Sequence, residues 1–250
     1  MTCTTLKQMF CLFLAASFSF VSCNGRIPEM GDHTFFDVDL GELSGLCFNK
    51  DKTALIACGD KGVIKSVSFD GQVSDIWENR GDMEGVTLDP VTGDIYIAVE
   101  RAQEVHRLPA PEYAEQERLF PVQEAVDGRF FNDGLEAVEY YKDGVVFVGA
   151  QRDATLWKYK LDGTLLSKVN LPFASEIAGL CYEPEEDLLW VTDSEAFKIF
   201  LCTPDGELIA TYDVPYIENA ESICVDRDRN CVWVGSDEDS SKVYKIDFKF

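Results

Sequence analysis

Leu135-Glu136-Ala137-Val138-Glu139-Tyr140 is one of five copies of a six-residue pattern, and the spacing of the copies decides the architecture. The others are Leu43-Ser44-Gly45-Leu46-Cys47-Phe48, Met83-Glu84-Gly85-Val86-Thr87-Leu88, Ile177-Ala178-Gly179-Leu180-Cys181-Tyr182 and Ala220-Glu221-Ser222-Ile223-Cys224-Val225. An apolar residue comes first, a small one stands third, and the fourth and sixth are apolar. Successive copies start 40, 52, 42 and 43 residues apart. A period of about 40–45 residues with four strands per unit is the signature of a β-propeller blade. The expectation is an all-β chain forming a single propeller of five four-stranded blades. The 52-residue interval raises a sixth blade as the alternative. Residues 102–132 hold only one strand pair, however, so the extra length reads as an insertion.

Each copy is taken as the innermost strand, a, of its blade. A polar turn such as Asn49-Lys50-Asp51-Lys52 or Lys142-Asp143-Gly144 leads to strand b. There Leu55, Tyr96, Phe147, Trp190 and Trp233 occupy matching positions and suit packing between blades. Strand c ends in Asp-Gly at residues 70–71, 162–163 and 205–206. That pair favours tight hairpins in which both central residues take positive φ. The fifth unit ends after its strand c, at Phe250, whereas residues 35–40 alternate in hydrophobicity just ahead of the first copy. Pairing residues 35–40 with residues 243–248 would supply the missing fourth strand and close the ring, removing open edges. Residues 24–34 carry Gly, Pro and charges without periodicity and read as a tether.

The first 23 residues read as an export signal. Lys7 makes the start positive, and residues 9–21 form an apolar stretch of 13, too short to span a bilayer. Phe20-Val21-Ser22-Cys23 resembles the bacterial lipobox, in which a cysteine is lipidated after cleavage, although Phe20 stands where Leu is usual. Lipidation at Cys23 would place the chain in the cell envelope, as a periplasmic or outer-membrane lipoprotein touching the membrane through its anchor.

With 22 basic and 45 acidic residues the formal charge is −23. Such a surface repels phosphate backbones, which excludes nucleic acid as a partner, and it favours cations. The 250 residues, 46% hydrophobic, are enough for one packed domain, and a monomer is expected. Cys47, Cys181 and Cys224 share the fifth position of the repeat, which points to small buried side chains in a repeated environment. Cys224 and Cys231 flank one turn and would bridge only if they lay opposite each other. The absence of Cys-x-x-Cys leaves zinc-ribbon and thioredoxin-type sites without support.

The runs Met83-Glu84-Gly85-Val86-Thr87-Leu88-Asp89-Pro90, Ala98-Val99-Glu100-Arg101 and Asn132-Asp133-Gly134-Leu135-Glu136-Ala137-Val138 resemble the bacterial SdiA-regulated propeller family. The resemblance spans residues 35–250 and implies the same fold, but that family brings no settled activity. More distantly the chain is similar to propellers with lactonase, phytase-like or other phosphoesterase activity, many of which bind calcium.

Strand a lines the central channel, so the second position of the repeat surrounds one mouth with Ser44, Glu84, Glu136, Ala178 and Glu221. The d–a and b–c loops share that face and are expected to carry function. Carboxylates this close cannot all ionise unaided. Glu84, Glu136 and Glu221, with Asn132 just upstream, are therefore candidate ligands for a hard cation, calcium above all. The ends of strand b and their loops add Glu100, Arg101, Gln151, Arg152, Asp193 and Asp237 as candidate ligand-binding residues. The competing reading pairs the acids with Arg80, Arg101, Arg129 and Arg152. Only His33 and His106 occur, neither placed at the mouth, so a Ser-His-Asp triad has no support. Two functions stay open. One is a non-enzymatic module binding a small molecule or an envelope protein. The other is a metal-dependent esterase, lactonase or phosphoesterase with Glu84, Glu136 or Glu221 as base.

Overall fold

The computed structural model describes residues 27–79, 81–122, 134–238 and 240–250, without the side chain of Arg152. Among these residues the chain forms five four-stranded antiparallel sheets. They are the blades of a five-bladed propeller. The innermost strands are Leu43–Phe48, Met83–Leu88, Leu135–Lys142, Gly179–Glu183 and Ala220–Asp226. Each packs against those of both neighbouring blades, and the fifth meets the first, so the ring is closed. The one strand pair of residues 102–132 is the ordinary third and fourth strands of the second blade, Glu104–Leu108 and Glu117–Pro121, and no sixth blade appears among the described residues.

The small third residue of the repeat has a steric cause. A Cβ on Gly85 would lie 2.7 Å from the Val138 nitrogen, and one on Gly179 would lie 2.7 Å from the Glu221 carbonyl oxygen. At these two positions neighbouring innermost strands therefore approach backbone to backbone, too closely for any Cβ. Outside this inner ring, large side chains fill the wedges between blades. Leu55, Tyr96, Phe147, Trp190 and Trp233 are all buried, as their matching positions implied. Trp190 stacks on Tyr212 with centroids 5.7 Å apart, and Trp233 stacks on Phe69 at 5.1 Å. The two indole N–H groups donate to buried acids that follow the repeat, Trp190 to Glu183 at 2.9 Å and Trp233 to Asp226 at 3.3 Å.

Closure uses the N-terminal strand, but with different bounds from the expected 35–40. The strand is Glu29–Asp37, pairing antiparallel with Lys242–Lys249 so that Phe35 faces Tyr244 and Phe36 faces Val243. Residues 29–34 are thus strand rather than tether. They lie on the outer edge of the last blade and are mostly exposed, so pairing, not burial, makes them extended and no hydrophobic alternation marks them. His33 belongs to this strand and stacks on Tyr216 at 3.7 Å.

Two further local expectations are corrected. At the Asp-Gly turns only the glycines, at φ of +86°, +85° and +87°, are left-handed, while Asp70, Asp162 and Asp205 are not. In each, the glycine N–H donates to the carbonyl three residues back, as Gly71 does to Ser68 at 3.0 Å. This is a type I turn with a glycine bulge, not the two-residue hairpin. Cys224 pairs with Trp233 and Cys231 with Asp226, so these cysteines are not opposite, and all six described cysteines are free.

Replacing Gly85 with Ala should destabilise the fold by about 1–3 kcal/mol, the range for overpacking. The check is a lower denaturant midpoint at unchanged m-value. An unaltered midpoint would mean that the second and third blades part easily there.

Candidate functional site

The channel has two chemically different ends, and a bulge builds the first. In four innermost strands the register skips between the first and third residues of the repeat, at Leu43/Gly45, Met83/Gly85, Leu135/Ala137 and Ala220/Ser222. The second residue is the extra one, and a bulge re-aims its side chain. Ser44, Glu84, Glu136, Ala178 and Glu221 thereby line one channel segment, as expected. The space between them is only about 10 Å³, roughly room for one water.

At this mouth Asp82, Glu84 and Glu100 bring one carboxylate oxygen each within 4.8 Å of the others. The Glu100 backbone N–H donates to the Asp82 carbonyl at 3.0 Å, which sets the two acids side by side. Glu100 also accepts the Gly134 N–H at 3.3 Å. Burial foremost, then the neighbouring Glu100 and Asp82, pushes the Glu84 carboxyl up to about 8. Burial and Asp82 push Glu100 to about 7. Glu136 rises to about 10 through burial and the Glu84 charge, and Glu221 to about 7 through burial and the neighbouring Glu176. The triad thus unites Glu84 with Asp82 and Glu100, whereas Glu136 and Glu221 stand outside it. Asp82, missed in the sequence, lies one residue before the repeat.

The remaining sequence candidates separate. Arg101 forms an ion pair with Asp82 at 2.9 Å, with its own side chain mostly in solvent. Asp193 is fully buried and accepts the backbone N–H groups of Ser175 at 2.6 Å and Ala196 at 2.8 Å, so it holds loops together. Gln151 is half-buried at the end of strand b, its side-chain amide oxygen without a hydrogen-bond partner. Asp237 is half-buried, and burial raises its carboxyl. Arg152 lies in the 3₁₀ turn Arg152–Ala154. Asn132, Asp133, Arg80, Arg129 and Cys23 lie outside the described residues. His106, on strand c of the second blade, contacts Glu104 and Gln116, each at 2.9 Å, and lines neither end of the channel.

The opposite end, at the a–b turns, opens into a cavity of about 660 Å³. Function was expected on the other face, because its loops are longer. Loop length does not measure concavity, and the space lies where the innermost strands end. The fifth residues of the repeat, Cys47, Thr87, Glu139, Cys181 and Cys224, all line it. Three of them accept a hydrogen bond from the sixth residue of the next blade. Thr87 Oγ1 accepts the Tyr140 N–H at 3.1 Å, Glu139 accepts the Tyr182 N–H at 3.0 Å, and Cys181 Sγ accepts the Val225 N–H at 3.4 Å. Glu139 also accepts the Thr87 hydroxyl at 2.8 Å. Burial, partly offset by these two donors, lifts its carboxyl to about 7. Phe48, Leu88, Tyr140, Tyr141 and Tyr182 contribute apolar and aromatic wall. The three thiols were legible as a repeated column, but the cavity beside them was not.

No family model and no curated protein matches the chain. Among solved structures it is similar to a chain of the nidogen/laminin complex, with 14% identity, a TM-score of 0.56, and coverage of 83% of this chain and 85% of that one. It is also similar to an auxiliary nutrient binding protein from Bacteroides thetaiotaomicron, with 14% identity, a TM-score of 0.54, and coverage of 84% and 70%. At this identity the likeness is one of fold. Fold and site together define the chain as a five-bladed β-propeller with an acidic channel mouth and an apolar cavity at the opposite end.

The raised carboxyls set a direction for stability against pH. Glu84, Glu100 and Glu221 titrate near 7 to 8 when folded but from 4.5 when unfolded, so between these limits the folded state holds more protons. Stability therefore falls as pH rises across that window. In chelator the melting temperature should drop by several degrees from about pH 5 to about pH 8, at roughly 2–4 °C per kcal/mol for a chain of this size. Replacing all three by Gln should flatten the slope. An equal slope in that variant would assign the effect to groups other than these three.

Proposed function

We propose that this chain is a ligand-binding module of the cell envelope whose small-molecule ligand occupies the cavity at the a–b turns. The cavity volume carries the reading: about 660 Å³ lies within the usual range of small-molecule sites, roughly 300–1,000 Å³. The fold likeness to an auxiliary nutrient binding protein supports it, since a propeller can be put to that use. The resemblance to SdiA-regulated propellers is compatible with such a module and brings no settled activity. Nile red, an uncharged dye, should be taken up at one saturable site. Leu88→Trp, which fills the cavity from a half-buried wall position, should abolish uptake with little change in melting temperature. Undiminished uptake in the variant would remove the reading.

A second reading concerns the mouth, where the Asp82–Glu84–Glu100 group favours a hard cation, calcium first. A ligand at one hundred times its Kd stabilises by about 2.7 kcal/mol. Millimolar-range calcium should therefore raise the melting temperature by roughly 5–10 °C over chelator. Glu84→Gln should remove most of that gain. No shift in either protein would end the calcium reading, and with it a metal-dependent hydrolase using Glu84 as base. The anchor is tested separately. Cys23→Ala should abolish lipid labelling and release the protein from membranes, and persistent membrane association would point to an uncleaved leader or a protein partner.

A further inference from the structure

We propose that the cavity at the a–b turns selects an organic cation, an ammonium group on an apolar body, whose positive end meets Glu139. This inference rests on the cavity being a ligand site and adds the class of ligand.

Glu139 lines the cavity from the innermost strand of the third blade, and its carboxylate contacts two uncharged donors, the Thr87 hydroxyl and the Tyr182 N–H. The other ionisable groups facing it are Cys47 of the first blade, Cys181 of the fourth and Cys224 of the fifth. Burial holds all three well above the usual thiol range, so they remain neutral near pH 7. The negative charge of an ionised Glu139 is therefore left to the ligand to compensate.

The cations along the cavity have other engagements. Lys50 donates to the Val91 carbonyl at 2.8 Å, Lys142 pairs with Asp187 at 3.2 Å, and Arg227 pairs with Glu183. Lys52 sits over the Phe48 ring at 5.9 Å. Against these four cations the lining carries seven carboxylates. The chain as a whole, at −23, draws cations inward. Tyr140, Tyr141 and Tyr182 add aromatic wall of the kind on which ammonium groups rest well, as the chain's own Lys142 does over Tyr141 at 4.3 Å. A metal ion fits beside Glu139 less well, because the ionisable groups around that carboxylate are protonated thiols. The only group of three close metal donors among the described residues lies at the opposite mouth.

The charge of Glu139 makes the inference testable with benzyltrimethylammonium, which does not titrate. Its binding needs the ionised carboxylate, and that group titrates near 7. Affinity should rise about tenfold from pH 6 to pH 8, following the ionised fraction. Benzyl alcohol should bind more weakly without pH dependence, and benzoate weakest of all. Displacement of Nile red from the wild-type protein reads all three. Glu139→Gln should lose both the preference for the ammonium and the pH dependence. Because this change also alters the contact with Thr87, its melting temperature is measured alongside, and the wild-type pH series stands without it. If benzyl alcohol or benzoate displaces the dye as well as the ammonium does, the inference falls while the cavity remains a ligand site. It falls likewise if the pH dependence survives Glu139→Gln in a folded variant. If neither the dye nor any probe binds, inference and site fall together.

Discussion

The structure depends on how its five innermost strands meet. Each has one edge in its own blade's ladder and one facing the channel, where backbone N–H groups have no ladder partner. An N–H left unpaired in the interior is costly. Two features of the repeat resolve this. The small third residue lets neighbouring strands approach until Gly85 lies against Val138 and Gly179 against Glu221. In three blades the fifth residue, now within reach, accepts the N–H of the next blade's sixth residue: Thr87, Glu139 and Cys181. Cysteine, threonine and glutamate at one position look unrelated as a column. As acceptors for the same kind of donor they are equivalent.

The same packing divides the channel into two environments. Bulges at the second residue press Glu84, Glu136 and Glu221 into a narrow segment, where desolvation and neighbouring carboxylates raise their carboxyls. Beyond the close contact the channel widens into the cavity, with Glu139 and neutral thiols among its lining. One end suits a small hard ion. The other has the volume and apolar wall for an organic molecule. Neither depends on histidine, which fits the placement of His33 and His106 on outer strands, away from both ends.

Where expectation and structure differ, the difference is tertiary. Residues 29–34 carry no strand pattern because an exposed edge strand needs a partner, not a buried face, and the partner lies more than two hundred residues away in the last strand. Asp193 looked available for ligand at the end of strand b, yet it is fully buried and holds the Ser175 and Ala196 N–H groups. Asp82 showed no signal, since it precedes the repeat in a loop. It becomes notable only because Glu100, eighteen residues on, folds back beside it.

The sequence alone determined the all-β class, the blade count, the closure by an N-terminal strand and the acids at one mouth. Each is written in spacing: a repeat of about 40–45 residues, a missing fourth strand in the last unit, and glutamates at a fixed place in the repeat. Only the tertiary structure decided which carboxylates share a site and on which face the cavity opens. Those outcomes depend on distances between segments from different blades, and on burial that lifts the carboxyl of Glu139 to about 7. Spacing along a chain carries neither quantity, because both arise only when the ring closes.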